Sequence, residues 1–397
     1  MWLGACASTI GTFVQQFAQS WLVYDLTKDP FYLGLDLFLG QLPIILLSLV
    51  GGVFADRMDR RKMLLGSQYI QMICAFVLAA LFFTHTVKVW EILFLSFMVG
   101  LGQSFGGPAY SALLPTLVPA EDLANAIAMN SIQFNIARVL GPAIGGLAYA
   151  TLGATWCFTL NGVSYLAVIA SLLMIQVNFV PQKSKEAILT SMKQGIAFIR
   201  ERDGLSALVF LAFLTTLFGF SLTGFLPVIV QNVLHGGPRT YQWLLMSSGA
   251  GSIVGALSVA ASEKLKEHGY IVLWTLIGLG AAIAGFALSR WLLVSCLLIF
   301  LSGLALMASA SLMLSLVQLI VPNQMRGRVM SVYNLAFRLG IPVGGLLLGK
   351  IIPLVGVSTA LSGSGFALIG IVLYFLAAKR NSAVFQRAIT GIDKATL

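Results

Sequence analysis

Apolar runs of about 20 residues or more fill this chain from Met1 to near position 378, and only short polar stretches part them. A run of that length is what a helix needs to cross a bilayer. Inside a bilayer a backbone must satisfy its own hydrogen bonds, so only helices and closed barrels span it. A barrel is written in short segments of alternating polarity, and these runs are continuous. The charge content points the same way. Only 10% of the 397 residues are charged and 58% are apolar, against about 25% charged in soluble domains. The expectation is a polytopic, all-α membrane protein.

Charges, Pro and Gly bound twelve expected spans, at roughly 1–24, 31–54, 63–84, 89–118, 123–150, 153–180, 205–232, 241–260, 269–288, 291–319, 327–352 and 355–378. The longest polar connection, 181–204, follows the sixth. The chain therefore reads as a first six-helix half (1–180), a cytoplasmic linker (181–204), a second six-helix half (205–380) and a cytoplasmic tail (381–397). Cations set the orientation. With the first loop outside, 17 Lys and Arg fall on inside segments and 5 on outside segments. Cationic loops stay in the cytoplasm, so both termini are expected there. The same bias accounts for the net charge of +10 without a nucleic-acid partner.

The halves echo each other. Val118-Pro119 precedes span 5 and Val321-Pro322 precedes span 11. Arg138-Val139-Leu140-Gly141-Pro142-Ala143-Ile144-Gly145-Gly146 is matched by Arg338-Leu339-Gly340-Ile341-Pro342-Val343-Gly344-Gly345. The basic loop Asp56-Arg57-Met58-Asp59-Arg60-Arg61-Lys62 has only a degraded partner, Ser262-Glu263-Lys264-Leu265-Lys266. Parallel repeats of this kind build transporters.

Other chemistries find little support. The four cysteines lie inside apolar runs without metal spacing, and the three histidines are far apart. There is no phosphate-binding Gly-Lys-Ser/Thr loop. Neither a nucleophile–base pair nor a cofactor motif is present, so no enzyme activity, metal or cofactor is expected. The chain opens almost inside its first span, without a basic lead-in. No cleavable signal peptide is expected, and the natural start is expected upstream of Met1.

The order Gly52-x-x-x-Asp56-Arg57-x-x-Arg60-Arg61, with the whole-chain pattern, resembles the major facilitator superfamily. Trp21-Leu22-Val23-Tyr24-Asp25-Leu26-Thr27, Asn135-Ile136-Ala137-Arg138 and Arg326-Gly327-Arg328-Val329-Met330-Ser331 resemble its bacterial branch of enterobactin exporters and macrolide-efflux proteins. The resemblance implies the major facilitator fold of twelve helices in two halves. It also implies a multi-pass protein of the cell (inner) membrane that exports a small organic molecule, siderophore or drug-like, in exchange for protons. A lysophospholipid transporter, an importer, and a non-transporting sensor or assembly partner stay open as alternatives.

Ionisable residues inside spans are costly and mark pathways. Asp36 in span 2 is the candidate proton carrier, since a carboxylate withdrawn from water can take up and release a proton across a pH gradient. Arg138 in span 5 and Arg338 in span 11 are expected to make a central cavity cationic, with Asn135 and Asn334 on the same helix faces. The competing expectation is that these arginines bond backbone carbonyls and only hold helices together. Gln15, Gln19 and Gln103 complete the candidate cavity wall. By resemblance, Asp56, Arg60 and Arg61 with Gly52 form a cytoplasmic latch, and Gly141, Pro142, Gly145 and Gly146 form a gating motif. Span 4 departs from the family pattern: it reads Gly100-Leu101-Gly102-Gln103-Ser104-Phe105-Gly106-Gly107-Pro108 and has no arginine.

Overall fold

A computed structural model describes residues 1–175, 188–261 and 269–379. The opening of the linker (181–187), the loop 262–266 and the tail 381–397 lie outside the described residues.

Helices follow from the apolar runs, and local signals stop them. α1 is Trp2–Thr27. It ends at Lys28 in the left-handed conformation. Asp29 then caps α2 (Pro30–Arg57) by accepting from the backbone N of Phe31 at 2.9 Å, with Pro30 fixed in helical φ at the first position. Asp59 caps α3 (Arg60–Phe83) through the backbone N of Arg61 and Lys62. α4 (Val89–Leu113) and α5 (Leu123–Leu152) follow. Gly153, at φ +86°, turns the chain from α5 into α6 (Ala154–Met174). Gly356, at φ +85°, makes the same turn in the second half, and a side chain would be strained at either.

After α6 come α7 (Ile188–Arg200) and α8 (Asp203–Thr215). A π-helical turn at Thr216–Phe220 and the short α9 (Ser221–Gly224) and α10 (Leu226–Asn232) break the expected single span 205–232. The remainder is α11 (Pro238–Ala261), α12 (Gly269–Leu288), α13 (Leu292–Ile320), α14 (Asn323–Val355) and α15 (Val357–Lys379). Among the described residues ten segments are both long and apolar enough to cross a membrane. α1 and α5, of 26 and 30 residues, have the length but carry too many polar groups to meet the same test. Their polar groups are used inside the fold, as shown below.

Contacts divide the chain into two compact units: Met1–Lys185 with Gly236–Met246, and Glu186–His235 with Ser247–Leu397. In the first unit α1 packs on α5 and α6, α2 on α4, and α3 on α4 and α6. Backbones meet closely where side chains are missing. A Cβ on Gly100 would strike the Gly40 carbonyl, and one on Gly141 would strike Phe13. In the second unit α12 packs on α13 and α15, and α14 packs on α8 and the π turn. The contacts repeat in kind. A Cβ on Gly303 would strike the Ser248 carbonyl, one on Gly365 the Gly280 carbonyl, and one on Gly340 Thr216. Such small-residue contacts are how helices associate in lipid, where no hydrophobic force drives them together.

The outward surface fits a lipid solvent. Leu293 and Leu354 are 84% and 81% exposed. Trp90, Trp156, Trp243 and Trp291 are exposed at the starts of α4, α6, α11 and α13, the place of tryptophan at a membrane interface.

Candidate functional site

The first unit holds a hydrogen-bonded lattice of side chains. Its ionisable member is Asp36, two turns into α2. Gln19 of α1 donates from Nε2 to both carboxylate oxygens, at 3.0 and 2.9 Å, and to Ser96 Oγ of α4 at 2.8 Å. The Ser96 hydroxyl donates to Asp36 Oδ1. These partners are neutral donors, and among the described residues no salt bridge to Asp36 occurs. Gln15, one turn before Gln19, donates to Gln19 Oε1 at 3.4 Å. Asn161 of α6 donates to Gln15 Oε1 at 2.7 Å, in a buried contact.

A second cluster lies one turn along α6. The Tyr165 hydroxyl lies 3.4 Å from Thr12 Oγ1 of α1 and donates to Gln71 Oε1 of α3 at 3.2 Å. Gln103 of α4 donates to the same oxygen at 3.3 Å, and Gln71 donates to Ser67 Oγ at 3.0 Å. Polar side chains from α1, α2, α3, α4 and α6 thus form two neighbouring clusters. Gln15 and Gln19 belong to the first and Gln103 to the second. Sequence reasoning missed Asn161, Ser96, Gln71 and Tyr165. The available signal was their position: each is a polar group well inside a run of apolar residues.

The arginines within spans behave differently from those of the basic loop. Arg138 lies with its guanidinium 5.1 Å from the centroid of the Phe134 ring. Phe134 meets Phe13 of α1 edge-on at 5.5 Å. Arg138 has five donors, yet among the described residues no hydrogen bond or ion pair engages them, and the same holds for Arg338. Asn135, one turn before Arg138 on α5, donates back to the Ser131 carbonyl of its own helix at 2.9 Å. Asn334 and Arg338 are exposed on α14 of the second unit. Earlier on α5, buried Gln133 donates to Thr9 Oγ1 at 2.7 Å, and its own carbonyl oxygen has no partner among the described residues.

Arg60 and Arg61 do bond backbone. Arg60 donates to the carbonyls of Ala55 and Ala112, at 3.1 and 3.0 Å, near the C-terminal ends of α2 and α4. Arg61 donates to those of Leu172 and Leu173, at 2.6 and 2.8 Å, at the end of α6. Cations bonded to unsatisfied C-terminal carbonyls also complement the helix dipole. The loop therefore clamps three helix ends. The Asp56 side chain lies outside the description. Gly51 sets the helix approach, since a Cβ there would strike the Ser104 carbonyl, whereas Gly52 has open space beside it.

In the α5 motif, Gly141 and Gly145 face Phe13 and Phe17 of α1. Pro142 has no N–H to offer the Arg138 carbonyl one turn back. Gln242, at the start of α11 and within the first unit, donates to the Ala143 carbonyl at 2.8 Å and lies against Gly146. Its neighbour Tyr241 stacks on Phe17 at 4.8 Å and on Trp21 at 5.8 Å.

The sequence model described as transmembrane secretion effector matches residues 1–386. The chain belongs to this family of the major facilitator superfamily. The transporter is 24% identical over 382 residues to macrolide efflux protein A of Streptococcus pyogenes, spanning 94% of this chain and 93% of the relative. It is 26% identical over 360 residues to the enterobactin exporter EntS of Escherichia coli, spanning 88% and 84%. Its fold is similar to that of the xylose transporter XylE from E. coli in an inward-open conformation, with a TM-score of 0.71 at 13% identity over 94% of each chain. It is thus a multi-pass membrane transporter of a small molecule, not an enzyme.

Proposed function

We propose that this transporter is a proton-coupled exporter of a small organic molecule, siderophore or drug-like, working by alternating access in the cell (inner) membrane with both termini in the cytoplasm. The observation that carries the reading is the setting of Asp36: an acid within the membrane whose bonds come from neutral donors. Such a group can change charge without breaking an ion pair, as a proton carrier must. Two relatives are named for the efflux of a macrolide and the export of enterobactin, which supports export and the substrate range.

In this reading Arg138 offers unused donors to an acceptor-rich or anionic substrate, with Phe134 beside it. Arg338 and Asn334 are the candidate contacts of the second half, residues 205–380, and 1–180 forms the first. Arg60 and Arg61, with Gly52 and Asp56, form a latch whose closure favours one of the two access states. Gly141, Pro142, Gly145 and Gly146 form a gate between α5 and α1.

Everted membrane vesicles with an imposed inside-acid pH gradient test the reading. A catecholate siderophore and a macrolide are added in turn. Collapse of the gradient by one of them, in vesicles holding the transporter and not in vesicles without it, is the expected result. An unchanged gradient with both, in vesicles holding folded protein, counts against proton-coupled export of these classes.

A further inference from the structure

Gln15 and Gln19 were expected to line the substrate cavity, yet the structure ties both to the acid. Three amides stand in series: Asn161 donates to Gln15, Gln15 donates to Gln19, and Gln19 donates to Asp36. Gln15 and Gln19 each spend their carbonyl on the previous amide N–H, and the Asn161 carbonyl accepts from the Ser164 hydroxyl, so every amide donor in the series points toward the carboxylate. The series starts on α6, crosses α1 and ends on α2. Where it starts, α1 has no slack: a Cβ on Gly11 would strike Ser164 and crowd Asn161 Oδ1.

We propose that Gln19 is a positioning residue for Asp36, held in place by Gln15 and Asn161, and that this amide chain links the proton state of Asp36 to the seat of α1 against α6. The proposal rests on the reading that Asp36 takes up the transported proton. An ionised carboxylate only accepts hydrogen bonds, so donors fixed in its direction favour the charged form. A side chain free to turn away gives less. Gln15, itself held by Asn161, donates to the far end of the Gln19 amide and so prevents that turn. By reciprocity, whatever moves α1 off Asn161 must change proton binding at Asp36, and proton binding must change the hold of α1 on α6.

On the elements packed against α2, the ionisable groups toward its N-terminal half are Tyr24 and Asp25 of α1, Cys74 of α3 and Glu91 of α4. Asp25 is paired with Lys28 at 2.6 Å, and Glu91 accepts from the Lys88 backbone N at 2.9 Å.

The test needs no substrate. The full chain is reconstituted in liposomes, and the infrared band of protonated carboxyl groups is followed against pH. Asp36→Asn identifies the relevant band by its loss. The expected result is that Gln19→Leu moves its midpoint to higher pH by about one unit, a tenfold change in proton activity. Asn161→Leu, which does not touch Asp36, moves it the same way by less. If Gln19→Leu fails to fold, Gln15→Met leaves the Asp36 contacts in place and carries the test. Unmoved midpoints in folded variants overturn the proposal and leave Asp36 as the titrating acid. If no band disappears in Asp36→Asn, the proton reading and the proposal fall together.

Discussion

The two units use the same helix pairings but spend their polar residues in opposite ways. In the first, amides and an acid bond across helices, from α6 through α1 to α2 and α4. In the second, hydroxyls mostly bond back to their own helices, Thr215 to the Leu211 carbonyl, Ser252 to Ser248, Ser309 to Leu306 and Ser364 to Ala360, while Ser221 crosses to the Ile341 carbonyl of α14. In the register that aligns Arg138 with Arg338, Gln15 and Gln19 fall on Thr215 and Gly219. Aligning the matching contacts of Gly100 on Gly40 and Gly303 on Ser248 places Ser96 on Ile299 and Asp36 on Leu244. A π turn stands where α1 carries its paired glutamines. A repeated scaffold thus holds a titratable lattice in one half and an apolar counterpart in the other. On the reading proposed above, the first half is the one that senses the proton.

Substitutions that act on one half and not on its counterpart sharpen this contrast. The largest change short of losing the acid is expected at the unpaired arginines. Arg138→Gln weakens equilibrium binding of an anionic substrate about ten- to a hundredfold, the worth of a charge-assisted hydrogen bond, and binding titration on purified protein reads it. A similar loss in Arg338→Gln would mean that the second half also recognises charge; no loss would confine recognition to the first. Next comes packing. Gly51→Leu forces a side chain into the Ser104 backbone and lowers stability by about 1–3 kcal/mol. Its neighbour Gly52→Leu stays within about 0.5 kcal/mol. Thermal unfolding of the two side by side checks the difference. The smallest pair compares the lattices directly. Gln15→Leu removes two side-chain hydrogen bonds, one from Asn161 across helices and one to Gln19 within α1, each about 0.6 kcal/mol in membranes. Thr215→Val removes one bond within a helix and changes stability by less than about half as much. Equal losses would erase the distinction between the units.

Much of the fold was legible in the apolar runs. α12 falls on 269–288 as expected, and most other ends lie within a few residues. The broken seventh span was hidden because Thr215 to Asn232 is as apolar as an unbroken helix. The site was legible where it is charged. Asp36, Arg138 and Arg338 stand out because a charge in a span is costly. Ser96 and Asn161 did not, because a helix that is apolar all round has no periodicity to show which face is buried. The same geometry separates Gly51 from Gly52. The two are adjacent in sequence and about 100° apart around the helix, so only one can face α4.

The central claim is that the first half carries the proton on Asp36, and paired transport assays on Asp36→Asn test it most directly. Substrate counterflow in proteoliposomes needs no net proton movement, whereas concentrative transport driven by a pH gradient does. The account predicts that the variant keeps counterflow and loses gradient-driven transport by at least about a hundredfold. Gradient-driven transport at the wild-type rate in the folded variant would contradict it and move the proton off Asp36.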